Sequence, residues 1–211
     1  MSDQQDTQIF NATSALSFAS FLAMVFFSKA ASNALLPRSA SWKDRLIFVW
    51  VAFDAIIHFA VEGSFVYLST FGRSANTSSG AFAEMWKEYA RADARWGISD
   101  PVVVALEIMT VLGLGPLCCH ILRLLLKNDP ARHFWIVVLC TAELYGVFMT
   151  FCPEWLMGNP NLDTSNALYL WVYLVYMNMI WVVAPLWLIV DSYGHIARSL
   201  RQVEAVKAKK N

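Results

Sequence analysis

Five stretches of about 20 or more mostly apolar residues divide the chain, and they constrain its fold more than any other feature. They run from about Ile9 to Ala30, Leu46 to Tyr67, Val102 to Leu126, Phe134 to Trp155 and Leu168 to Val190. A helix of about 20 such residues is what the hydrocarbon core of a bilayer requires. The expected fold class is therefore all-α, a polytopic membrane protein built as a five-transmembrane-helix bundle. Composition excludes a water-soluble domain. Hydrophobic residues make up 57% of the 211 residues and charged residues 15%, against about 25% charge in soluble domains. Disorder, collagen and a disulfide-rich secreted scaffold are excluded as well. Cys118, Cys119, Cys140 and Cys152 show no C-x-x-C spacing and are expected to be reduced, buried small hydrophobes.

Charge between the runs sets the topology. The first connection carries Arg38, Lys43 and Arg45, and the third carries Arg123, Lys127 and Arg132. The C-terminal tail carries Arg198, Arg201, Lys207, Lys209 and Lys210, whereas the N-terminus and the connection from Pro153 to Asn166 have no Lys or Arg. The positive-inside rule puts connections one and three and the C-terminus in the cytosol, and the N-terminus and connections two and four on the other side. The first run has no basic n-region, since Asp3 and Asp6 are the only charges before Lys29, and it is expected to be a retained helix rather than a signal peptide. Residues 1–45 hold the first span and its connection, 46–193 the four-helix functional domain, and 194–211 a basic tail. Trp42, Trp50, Trp86, Trp96, Trp155 and Trp171 stand near span ends and read as interfacial anchors. In the long second connection, Gly72 to Gly80 reads as a loop and Ala83 to Ala90 as a surface helix at the membrane.

The residues that carry chemistry are those lipid would not tolerate. Intramembrane ionisable groups are costly and face a bundle interior or cavity. Asp54, His58 and Glu62 stand at i, i+4 and i+8, on one helix face. Glu107 with Thr110, Glu143, and the pair Asn178 and Trp181 stand in the other spans. Helix–helix hydrogen bonding is the plain alternative for each, and Glu143 in particular is expected to serve packing. Asp191, His120, His133 and His195 are read as border residues at or beyond the span ends. One imidazole among three carboxylates does not suit zinc or a thiolate-rich site, so no metal is expected. No nucleophile elbow, phosphate loop or dinucleotide fingerprint is present, so no cofactor is expected. No large basic block calls for a nucleic-acid partner.

Burial raises a carboxyl pKa and a neighbouring imidazolium lowers it. The His58–Glu62 pair next to Glu107 is thus suited to keep one proton ready and one base free. An indole face at Trp181 stabilises a transient carbocation, and Asn178 is placed to orient a carboxyl or the imidazole. Such a site moves a carbon–carbon double bond in an apolar substrate that enters from the bilayer.

These residues carry a resemblance. The segments His58-Phe59-Ala60-Val61-Glu62-Gly63, Trp86-Lys87-Glu88-Tyr89 with Asp93 and Arg95, and Glu107-Ile108-Met109-Thr110 with Gly115-Pro116-Leu117 come in one order with Tyr145-Gly146, Tyr169-x-Trp171-x-Tyr173 and Met177-Asn178-x-x-Trp181. In order and spacing they resemble the emopamil-binding protein family, which includes sterol Δ8–Δ7 isomerases. Asp54, Ala92-Asp93-Ala94-Arg95-Trp96 and Glu143-Leu144-Tyr145-Gly146 resemble its emopamil-binding protein-like branch. The resemblance implies an endoplasmic-reticulum protein that takes a sterol or sterol-like small molecule, or a cationic amphiphilic drug. It implies that His58, Glu62 and Glu107 handle protons, Asn178 orients the site and Trp181 faces a cationic intermediate. Asp54, Trp86, Tyr89, Asp93, Thr110, Tyr145 and Trp171 are the expected substrate contacts, with Trp86 and Asp93 supporting the rim.

One departure stands out: family isomerases usually carry Asp after the Tyr-Gly of the fourth span, where this chain has Val147. The proton-handling residues remain, so the departure bears on substrate registration. Lys207-Ala208-Lys209-Lys210-Asn211 resembles a cytosolic dilysine retrieval signal, and a basic stretch against anionic lipid is the alternative. The activity expected is sterol Δ8–Δ7 isomerisation. The same chemistry on another polycyclic terpenoid, a non-catalytic sterol or amine binder, and a polar stripe used for packing or a homodimer stand as alternatives.

Overall fold

The structure is a computed structural model, and it describes residues 12–210. Asp3, Asp6 and the start of the first expected span at Ile9 lie outside the described residues. Among the described residues, five helices are long and apolar enough to cross a membrane: α1 (Ala12–Leu35), α2 (Trp42–Leu68), α5 (Pro101–Leu126), α6 (Arg132–Met157) and α7 (Tyr169–Ala208). Two short helices, α3 (Ala81–Tyr89) and α4 (Arg95–Ile98), lie in the second connection. The protein is a five-helix polytopic membrane protein. Its outer surface carries large apolar side chains such as Phe26, Leu112, Phe148, Leu186 and Val190, an arrangement that suits lipid rather than water.

Local chemistry sets the helix ends. Ser41 accepts from the Asp44 N–H at 3.0 Å and donates to Asp44 Oδ2 at 2.7 Å, a reciprocal cap of the S-x-x-D type. Asp100 caps α5 by accepting from the Val102 and Val103 N–H groups, with Pro101 in the first turn, where its missing N–H costs nothing. Gly158 ends α6 at φ +81°, the left-handed terminus that glycine adopts without strain. The last helix differs from expectation in length. It continues through the tail to Ala208, 40 residues in all, so at about 1.5 Å per residue its whole length is about 60 Å, more than one bilayer needs.

Three of the long helices widen into π turns: Ile57–Glu62 in α2, Thr110–Leu114 in α5 and Tyr169–Tyr176 in α7. Each closes an i→i+5 bond, for example Gly63 N–H to His58 O. Such turns re-aim side chains and gather at functional sites. The three fall at His58 and Glu62, beside Glu107, and before Asn178.

Ion pairs define the two ends of the bundle. Lys43 to Asp191 and Arg132 to Asp44, both at 2.7 Å, join the start of α2 to α7 and to the start of α6. Asp191 is drawn to Lys43 with its side chain 8% exposed, and His133, buried in the first turn of α6, stacks on His195 at 4.2 Å. At the opposite end, connections two and four clamp together. Asp93 and Leu162 form an antiparallel bridge. Arg95 grips Asp93 in bidentate fashion at 2.8 and 2.6 Å and approaches Glu154 at 3.6 Å. Glu154 in turn accepts from both the backbone and the side chain of Asn161. Burial opposes the Arg95 charge, but Asp93 and Glu154 hold its pKa above the ordinary value.

The second connection is a packed cover rather than a surface appendage. Trp86 and Trp96 are 6% and 8% exposed and stack at 4.9 Å against Phe65. They are core residues, as is the half-buried Trp50; the anchor expectation fails for these three because tertiary packing takes up their rings. Trp42, Trp155 and Trp171 are exposed. The cysteines are all free, with Cys118 and Cys140 buried, Cys152 half-buried and Cys119 exposed, so uniform burial was not met.

Candidate functional site

A cavity of about 490 Å³ opens between the helices beneath the α3–α4 cover, within the roughly 300–1,000 Å³ range of small-molecule pockets. Every long helix contributes to it: Phe18, Phe21 and Val25 from α1, Ile57 and Val61 from α2, Leu106 from α5, Val147 from α6, and Ile180 from α7. Its walls are apolar, so each polar group on them is conspicuous.

The stripe on α2 meets there. His58 Nδ1 lies 2.6 Å from Glu62 Oε2, and His58 Nε2 lies 3.3 Å from Asp54 Oδ2. The second approach is an ion-pair contact without good hydrogen-bond alignment. A carboxylate at each ring nitrogen suits a ring that donates from both. Asp54 is fully buried and does not line the cavity. It stands behind the imidazole, where it accepts from Trp181 Nε1 at 3.1 Å and Cys118 Sγ at 3.3 Å. With its N–H turned to Asp54, Trp181 offers the cavity its ring, flanked by Trp50 at 5.8 Å and Phe53 at 6.2 Å. Glu107 comes from α5 to neighbour Glu62 and accepts from Thr110 Oγ1 at 3.3 Å.

Asn178 lines the cavity, but among the described residues its side chain bonds neither His58 nor either glutamate. Its Nδ2 donates to Tyr89 Oη at 3.1 Å and to the Tyr173 and Leu174 carbonyls of the π turn, both at 3.0 Å. Burial pushes the Tyr89 phenol upward, so it stays a neutral hydroxyl. Nearby, Glu88 accepts from Ser14 at 3.0 Å and Tyr173 at 3.2 Å, tying α1, α3 and α7 together at the mouth.

Of the expected residues, the structure brings His58, Glu62, Glu107, Thr110, Asn178, Trp181, Trp86 and Tyr89 onto one cavity. Asp54 stands one layer behind. Asp93 is in the Arg95 clamp, and Tyr145 and Trp171 are exposed on the outside of the bundle; none of these three lines the cavity. Cys118, expected to be an apolar filler, is a hydrogen-bond donor to Asp54. With Asp54 and His58 it forms a group whose ligand-type atoms lie within 4.8 Å of one another. The hydrogen bonds from Cys118 and Trp181 to Asp54 and the His58–Asp54 ion-pair contact account for the arrangement. Nothing local in the sequence signals the contact, because 64 residues separate Cys118 from Asp54.

The class this geometry defines is a membrane protein with an acid–imidazole–acid row on an apolar intramembrane cavity. The chain belongs to the EBP family (EXPERA, the expanded EBP superfamily), whose profile matches residues 81–192. It is 31% identical over 183 residues to the 3-beta-hydroxysteroid-Delta(8),Delta(7)-isomerase of Cavia porcellus, covering 84% of this chain and 77% of that one. It is 33% identical over 172 residues to a probable enzyme of the same name from Oryza sativa subsp. japonica, covering 82% and 76%. Isomeliandiol synthase from Melia azedarach is 30% identical over 166 residues, covering 79% and 75%.

Proposed function

We propose that the protein is an intramembrane isomerase that moves a ring double bond in a polycyclic alkene, a Δ8 sterol being converted to its Δ7 isomer. The observation that carries this reading is the 2.6 Å His58–Glu62 contact beside Glu107 on an apolar cavity. Glu107, which the imidazole does not hold, gives a proton to one alkene carbon; the π electrons form the new C–H bond and the neighbouring carbon becomes cationic. The His58–Glu62 pair takes a proton from the carbon on the other side, whose C–H electrons form the new double bond. One proton enters and one leaves, so no redox partner is needed. Trp181 lends its ring face to the cation, and the dry wall strengthens that attraction.

The Cavia porcellus and Oryza sativa relatives support the sterol substrate, and the Melia azedarach relative supports the same step on a terpenoid. Basic residues of connections one and three lie at one end of the bundle, which supports a cytosolic C-terminus and lumenal N-terminus in the endoplasmic reticulum membrane. An amphiphilic amine would compete for the acidic row. The test is incubation of the purified protein in lipid with a Δ8 sterol in heavy water. The expected product is a Δ7 sterol carrying one deuterium. Unlabelled, unchanged sterol from folded protein would leave the chain a binder.

A further inference from the structure

Glu143 on α6 lines the cavity at 5% exposure, yet neither of its carboxyl oxygens has a hydrogen-bond partner among the described residues. Asp54 and Cys140 are its polar neighbours. Asp54 is already committed, with Oδ1 to Trp181 and Oδ2 to Cys118 and His58. A buried carboxyl left without a partner is costly, and native structures rarely keep one without a use. Glu143 thus stands on the Asp54 side of the imidazole, whereas Glu62 and Glu107 stand on the other. The α6 face around it is open. Gly146 and Val147 follow at i+3 and i+4 along the same wall, and a Cβ added at Gly146 would meet nothing within 4 Å.

We propose that Glu143 is a second polar anchor of the cavity, which binds the hydroxyl of a polycyclic alcohol separately from the proton-handling row. A hydroxyl both donates and accepts, as a carboxyl does in its neutral form, so the pair satisfies both groups without bringing another charge into the apolar wall. The proposal rests on the cavity being the ligand site proposed above. It adds what sets the ligand's register there: the alcohol end lies against α6 at Glu143, over the gap at Gly146.

The experiment measures binding of cholest-8-en-3β-ol and of the same hydrocarbon without its hydroxyl, in lipid nanodiscs, to wild type, Glu143→Gln and Glu143→Leu. Melting of each ligand-free protein is recorded alongside. Wild type should prefer the alcohol by about tenfold, the order expected for one buried hydrogen bond to an ionisable group. Glu143→Gln should keep much of the preference. Glu143→Leu should erase it through loss of alcohol affinity alone, and should melt no lower than wild type, since it removes an unpartnered polar group. An undiminished preference in Glu143→Leu overturns the proposal. So does a lower melting temperature or failed folding with Leu, because Glu143 would then be a packing group. Wild type that binds neither compound overturns this proposal and the ligand site together, whereas equal binding of both by wild type overturns the anchor alone.

Discussion

Arg95→Met tests whether the clamp between connections two and four holds the cavity's cover in place. Arg95, Asp93 and Glu154 are only 3%, 1% and 3% exposed. The substitution removes two charged hydrogen bonds, at 2.8 and 2.6 Å, and one ion-pair contact at 3.6 Å. Charged hydrogen bonds contribute about 1.5–3 kcal/mol each, so the two account for roughly 3–6 kcal/mol. That range overlaps the roughly 3–5 kcal/mol for stranding one partner of a buried pair. Two carboxylates are stranded here, and Glu154 retains Asn161 as partial relief. The expected loss is about 3–5 kcal/mol, a fall in melting temperature of roughly 6–20 °C for a chain of this size. Arg95→Lys should recover less than half, because an ammonium cannot reproduce the bidentate fork. Adding Asp93→Asn to Arg95→Met should cost less than the sum of the two single changes, by about 1–3 kcal/mol. The assay is thermal unfolding in one fixed lipid or detergent, with sterol binding measured on the folded fraction. A loss under about 1 kcal/mol for Arg95→Met refutes the clamp. Unchanged stability with lost sterol affinity for Asp93→Asn would instead make Asp93 a ligand contact.

Three further outcomes follow from the same contacts. His58→Ala, Glu62→Gln and Glu107→Gln should each lower isomerase turnover at least about 100-fold while sterol binding persists, measured by product formation against radioligand binding. Trp181→Phe keeps a ring and loses only the bond to Asp54, so it should slow turnover far less than Trp181→Ala, for which about 2 kcal/mol of lost cation–π stabilisation corresponds to roughly 30-fold. The phenol of Tyr89 is raised above its ordinary value of 10.0, so the unfolded chain releases that proton first. Its contribution is complete below pH 10 and is lost as pH rises through the folded value. Unfolding curves between pH 8 and 11 should therefore fall less steeply for Tyr89→Phe than for wild type.

The five spans and the α2 stripe were legible because both are local. Hydropathy needs only consecutive residues, and the cost of burying Asp54, His58 and Glu62 in lipid marks them wherever they occur. Their shared face follows from helical spacing and survives the π turn at Ile57–Glu62. Trp86 and Trp96 were misjudged because the same amphipathic ring suits a membrane interface and a packed stack. Phe65, brought by α2, and Tyr89 pack against both rings and decide for the stack.

The sequence alone determined that this chain is a five-helix membrane protein, and through its motifs and relatives that it is an EBP-family member. Tertiary structure decided which polar groups converge. It set Cys118 and Trp181 on Asp54, turned Asn178 toward Tyr89 and the α7 backbone, committed Asp93 to Arg95, and left Glu143 on the cavity wall without a hydrogen-bond partner among the described residues. The contacts of Asp54 with Cys118 and Trp181, and of Asn178 with Tyr89, depend on residues from different helices meeting within about 3.5 Å, the reach of a hydrogen bond. Residue spacing along one chain carries no record of that distance.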